Sequence, residues 1–116
     1  MSEGTWADIG DQLDQEWQPF LEQLRAEGFE VRVTSLLAPL QIEGRLPTQE
    51  RFYFRSEWGQ ARLNIGGETP WLRPDWMSWR DWDDPKRGDL PGIALNEFRT
   101  LLARWRAGEP DMRKDY

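Results

Sequence analysis

Between Phe29 and Ile65 apolar and polar residues alternate, and a period of two commits the middle of the chain to β-strands. Phe29, Val31 and Val33 alternate with Glu30, Arg32 and Thr34; Ile42, Gly44 and Leu46 alternate with Gln41, Glu43 and Arg45. Phe52 and Phe54 alternate with Arg51, Tyr53 and Arg55, and Ala61, Leu63 and Ile65 alternate with Gln60, Arg62 and Asn64. The four runs are separated by Ala38-Pro39, Pro47-Thr48 and Trp58-Gly59, and Gly66-Gly67 closes the last. Short alternating runs between such breakers predict a four-stranded antiparallel meander with one apolar and one polar face.

The flanks have helical period. Trp6, Ile9, Leu13, Trp17, Phe20 and Leu24 recur at spacings of 3, 4, 4, 3 and 4, one face of an N-terminal helix. Thr5-Trp6-Ala7-Asp8 resembles a capping box, and Gly28 can supply the left-handed residue after the last turn. Pro19 interrupts the stripe and predicts a kink or two shorter pieces. Pro91 opens a C-terminal helix whose apolar stripe is Ala94, Phe98, Leu101, Leu102 and Trp105, stopped by Gly108 and Pro110. The fold class is therefore α+β, one domain over residues 1–116, with 109–116 expected as a frayed tail.

Four of the eight tryptophans, Trp71, Trp76, Trp79 and Trp82, fall between the last predicted strand and the C-terminal helix, among prolines at 70, 74, 85 and 91. This Trp-rich segment reads as loop with a short helix from an Asp75 cap to Trp82, stacking Trp76, Trp79 and Trp82 at three-residue spacing. Three readings of the cluster are open. The indoles fill a satellite core between sheet and final helix, or with Arg73 and Arg80 they form an anchor patch for a protein partner, the residue types that dominate interface hot spots, or their faces serve as a platform for sugar rings, although nothing nearby orients a sugar hydroxyl.

Charge is unevenly distributed. Residues 1–30 hold eight acids and one base, net −7, and residues 31–66 hold three acids and five bases, net +2. The acidic helix face includes Asp11, Asp14 and Glu22, suited to a basic partner groove. The alternation sends Arg32, Arg45, Arg51, Arg55 and Arg62 to one sheet face together with Tyr53, a face able to take single-stranded nucleic acid, to stand as a solvated, ion-paired surface, or to be covered by the Trp-rich segment with indoles stacked on guanidiniums. A formal charge of −6 argues against duplex DNA, which needs a clustered basic surface.

The chain has no cysteine and no histidine, which removes disulfides, thiolate nucleophiles, the commonest general base and the commonest metal ligands. Asp81, Asp83, Asp84 and Asp89 fail as a calcium loop counted from Asp81, with Lys86 where glycine is required and Gly92 where glutamate is. The residues thus predict no catalytic site, no cofactor and no metal. The start, Met1-Ser2-Glu3-Gly4, is unlike a secretory signal, and the longest apolar run, Leu36 to Leu40, is too short to span a bilayer, so cytoplasmic residence without a membrane is expected. Arginine supplies 13 of the 15 basic residues, the bias of a GC-rich bacterial or phage genome. The Phe52-Tyr53-Phe54-Arg55 and Leu63-Asn64-Ile65-Gly66-Gly67 segments resemble those of small proteins of such bacteria and their phages, a likeness that carries over no functional residue. The function expected from sequence is a non-catalytic protein-binding module, of the inhibitor, immunity or accessory kind, with single-stranded nucleic-acid binding as the alternative.

Overall fold

The computed structural model describes the backbone at residues 5–35, 40–57, 59–81 and 90–112. In chain order it comprises α1 (Thr5–Ala26), β1 (Glu30–Ser35), β2 (Leu40–Arg45), β3 (Arg51–Glu57), β4 (Gln60–Ile65), β5 (Trp76–Asp81) and α2 (Leu90–Arg106). The strands form one antiparallel sheet in the order β1-β2-β3-β4-β5, so the meander has five strands, one more than the sequence predicts.

The extra strand is the Trp-rich segment. Trp76 to Asp81 pairs with β4 in continuous register, from Ile65↔Trp76 to Gln60↔Asp81, where a short helical turn is expected from the tryptophan spacing. A helical turn satisfies only its own backbone groups, whereas this pairing also satisfies the edge of β4. In the strand Trp76, Ser78 and Arg80 share one side, and Met77, Trp79 and Asp81 the other. The three tryptophans of the predicted stack are thereby broken up; Trp82 lies outside the described residues.

α1 is a single helix with Pro19 inside it, so the two-piece expectation does not hold. Its end follows the sequence closely. Phe29 N–H donates to the Leu24 carbonyl and Gly28 N–H to that of Arg25, both at 3.0 Å, with Gly28 at φ 97°. An apolar contact between the flanking residues often accompanies this motif, and here both Leu24 and Phe29 are buried. The same motif ends α2, with Glu109 N–H on Arg104, Gly108 N–H on Trp105 and Gly108 at φ 77°.

Both helices lie on one side of the sheet, α1 along β1 and α2 across β4 and β5. Two cross-strand rows face them: Val31, Gly44, Phe52, Ile65 and Trp76, and Val33, Ile42, Phe54, Leu63 and Ser78. Phe52, Phe54, Ile42, Leu63 and Ile65 are almost wholly buried there with Trp17, Phe20, Leu24, Phe98 and Leu101. Each such side chain contributes about 1.5–3 kcal/mol of burial free energy before the chain's conformational entropy is subtracted. Phe98 stands at the centre, its ring 5.4–5.6 Å from those of Phe29, Phe52 and Phe54. Arg99 clamps the helices together, its guanidinium meeting both Glu27 oxygens at 2.9 and 2.5 Å.

Residues 109–112, in the stretch expected to fray, return to β5. The Trp76 indole N–H donates to the Glu109 carbonyl at 2.9 Å, and the Ser78 hydroxyl donates to the Met112 sulfur at 3.1 Å. Among the described residues no helix is long and apolar enough to cross a membrane.

Candidate functional site, a groove of arginines and an exposed tryptophan

The side of the sheet away from the helices carries the predicted arginines. In register, Arg32, Glu43, Tyr53, Asn64 and Met77 form one row; Gln41, Arg55, Arg62 and Trp79 form another; Arg45 stands opposite Arg51. All five sequence-predicted arginines therefore share one face, opposite Phe52 and Phe54. They do not share one environment.

The ten-residue connection from Gly66 to Asp75 divides that face. Gly66 (φ 91°) and Gly67 (φ 82°) turn the chain back in a conformation that favours glycine, and Gly66 lies so close to Asp75 that an added Cβ would sit 2.5 Å from its carboxylate. The Asn64 amide donates to the Pro70 carbonyl at 2.9 Å, and Pro70 is fully buried, so the loop rests on the middle row. In consequence Tyr53 is 7% exposed and Asn64 4%. The reading of Tyr53 as part of an open stacking face is corrected: the ring is buried in the row on which the loop rests.

Beyond Pro70 the loop emerges again. Amides of Leu72 and Arg73 both donate to the Thr69 carbonyl at 2.8 Å, a tight turn that leaves Trp71 44% and Leu72 73% exposed. Trp71 forms one wall of a groove of about 270 Å³, shared with Glu30, Arg32, Glu43, Arg45 and Arg51. Within it Glu43 is ion-paired to Arg32, while Arg45 Nε stands 3.9 Å from Glu30. Arg45 also donates to the Gln49 carbonyl at 3.2 Å. Arg51 donates to the Glu68 carbonyl at 3.0 Å and makes no ion pair among the described residues.

The groove thus unites members of two sets that the sequence keeps apart: Trp71 from the tryptophan cluster, and Arg32, Arg45 and Arg51 from the sheet. Arg73 is exposed on the same loop. Arg55, Arg62 and Trp79 sit half-buried in the neighbouring row, where Arg62 Nε is buried without a hydrogen-bond partner.

Other members of the tryptophan set go elsewhere. Trp76 is 8% exposed on the helix side, held by its bond to Glu109, so it presents no surface to a partner. Arg80 points to the same side, where its Nε lies 2.9 Å from Glu97 Oε2 as an ion pair, though too obliquely for a hydrogen bond. Strand alternation separates these two from Trp79. On α1, Glu22 is exposed, and the side chains of Asp11 and Asp14 lie outside the described set, as does Trp82.

Sequence reasoning missed Leu72 and Glu97. Leu72 carries a signal, since Pro70 and Pro74 bracket Trp71-Leu72-Arg73 and hold it out of regular structure. Glu97 occupies the apolar stripe of α2, three residues after Ala94 and four before Leu101, and is 4% exposed. Burial raises its pKa, an effect partly offset by the charges of Arg80 and Arg104. Among the described residues no three acidic side chains come together as a metal site. No family model, curated protein or solved structure matches the chain.

Proposed function

We propose that this chain is a non-catalytic protein-binding module, of the inhibitor, immunity or accessory kind expected from its sequence, acting through the Trp71–Leu72 loop and the arginine groove beside it. One observation carries the reading: Trp71 and Leu72, adjacent in one tight turn, are the exposed large apolar side chains among the described residues, and Trp71 lines the groove with Arg45 and Arg51. Exposing them forgoes roughly 1.5–3 kcal/mol of burial per side chain, a cost that a partner surface would recover. Tryptophan and arginine are also the side chains that most often anchor interfaces.

Single-stranded nucleic acid is the weaker reading. The stacking it requires loses Tyr53 to burial, and Glu30 and Glu43 line the groove that a phosphate backbone would follow.

Site-specific photo-cross-linking tests the proposal. A photoreactive residue at position 72 in source cells is expected to trap a discrete protein, with trapping lost when Trp71 is replaced by alanine. The same probe at Thr48, exposed in the β2–β3 turn, is expected to trap nothing in common. Identical products from both positions would contradict the assignment.

A further inference from the structure

The pairing of Arg45 with Arg51 points to the chemistry of the partner. Like charges placed directly opposite each other on neighbouring strands destabilise a sheet. Here two arginines stand opposite each other on β2 and β3, and among the described residues the ion pair they make is that of Arg45 Nε with Glu30, at 3.9 Å. Arg45 donates to the Gln49 carbonyl and Arg51 to that of Glu68, which leaves most of the N–H donors of each guanidinium for a ligand. An anion between them would relieve the repulsion and gain charge-assisted, two-pronged hydrogen bonds.

Resting on the protein-binding reading above, we infer that the groove receives an acidic segment of another protein, with a carboxylate between Arg45 and Arg51 and a neighbouring apolar side chain against Trp71 and Leu72. Charge complementarity selects carboxylate over polyphosphate. The groove holds three arginines against two glutamates, a net of +1 that suits a single carboxylate, and Glu30 and Glu43 oppose the run of phosphates of a nucleic-acid strand. Leu72, an aliphatic side chain 73% exposed, matches an apolar side chain and offers no stacking face to a base.

A random peptide library displayed on phage and selected on the immobilised full chain tests this inference. Parallel selections use the Arg45→Glu/Arg51→Glu and Trp71→Ala/Leu72→Ala variants, both checked for an unchanged circular dichroism spectrum. The expected result is enrichment of sequences with Asp or Glu next to a large apolar residue. A synthetic peptide from that pool should bind each double variant about tenfold or more weakly, as removal of an interface anchor predicts.

Apolar peptides without acidic bias, lost only with the Trp71/Leu72 change, would overturn the inference and leave the protein-binding reading standing. A selection in which no captured peptide depends on either pair would remove both. Capture of oligothymidylate at low salt, abolished by the arginine reversal, would overturn the inference in favour of nucleic acid. Self-association in sedimentation, abolished by the same reversal, would assign the groove to a second copy of this chain.

Discussion

Replacing Phe98 by alanine removes the ring that α2 inserts between the helices and the sheet. The side chain is 1% exposed, and it meets Phe29, Phe52 and Phe54 at centroid distances of 5.6, 5.4 and 5.4 Å. Phenylalanine-to-alanine changes in cores cost about 3–5 kcal/mol through lost transfer energy and residual cavity. Edge-to-face ring pairs add about 0.5–1.5 kcal/mol each beyond area, and the contacts to Phe29 and Phe54 have that geometry, which puts this site at the upper end, about 4–5 kcal/mol. A domain's total stability is about 5–15 kcal/mol, so the variant should stand near the limit of folding. Phe98→Leu keeps most of the volume and loses the ring contacts, and is expected to cost about 2 kcal/mol. Urea unfolding followed by far-ultraviolet circular dichroism measures both. With slopes of about 1–3 kcal/mol per molar, the alanine variant's midpoint should fall by roughly 2 M or more, the leucine variant's by roughly half as much. An alanine variant that loses less than about 1.5 kcal/mol, well below the range for a buried ring, would refute the seating of α2 on this sheet face through Phe98.

Three further outcomes follow from local geometry. Gly44→Ala would place a Cβ 1.8 Å from the Glu30 carbonyl oxygen, so β1 and β2 must separate; a loss of about 1–3 kcal/mol or more is expected in the same urea assay. The Arg99 guanidinium holds the Glu27 carboxyl below its ordinary range. The stability this gives is present above the unfolded-state glutamate value near about pH 4.3 and fades as pH falls through the lowered folded-state value, so the gap between parent and Arg99→Gln should close on acidification. Glu97 has the opposite sign. Its pKa is raised by burial, so its ionised form costs stability at neutral pH and the cost is relieved as pH falls through the raised value. Glu97→Gln should therefore be at least as stable as the parent at pH 7, with the advantage shrinking on acidification; a variant that is unstable at pH 7 would show that the Arg80 ion pair outweighs desolvation.

The contrast between β1–β4 and β5 shows what the sequence carries and what it does not. From Phe29 to Ile65 the strand residues that face the helices are apolar apart from Gly44 and Ser56, so the period of two is readable directly. In β5 the helix-facing positions are Trp76, Ser78 and Arg80, while Met77 and Trp79 face the other way. Ser78 tolerates burial because its hydroxyl donates to the Met112 sulfur and accepts from Arg104, and Arg80 because it meets Glu97. Those partners come from α2 and the residues after it, far along the chain, so the local pattern of β5 cannot announce them. Pro19 does not divide α1, for a related reason. Trp17, Phe20, Leu21 and Leu24 are all buried, and their packing outweighs one missing helical hydrogen bond.

The groove was legible in parts. Alternation alone puts the five arginines on one side, and the prolines around Trp71 mark an exposed turn. That the turn folds back over Tyr53 and brings Trp71 to Arg45 and Arg51 depends on the Asn64–Pro70 bond and on the close approach of Gly66 to Asp75. Both are tertiary contacts with no local signature.

Everything proposed for function requires that Leu72 and Trp71, the latter in the groove with Arg51, face solvent while Trp76 and Phe98 do not. Solution NMR with a soluble paramagnetic agent measures this residue by residue. The Trp71 indole, the Leu72 methyls and the Arg51 side chain should broaden strongly, with the Trp76 indole, bonded to Glu109, and the Phe98 ring unaffected. A Trp71 indole as protected as that of Trp76 would contradict the account.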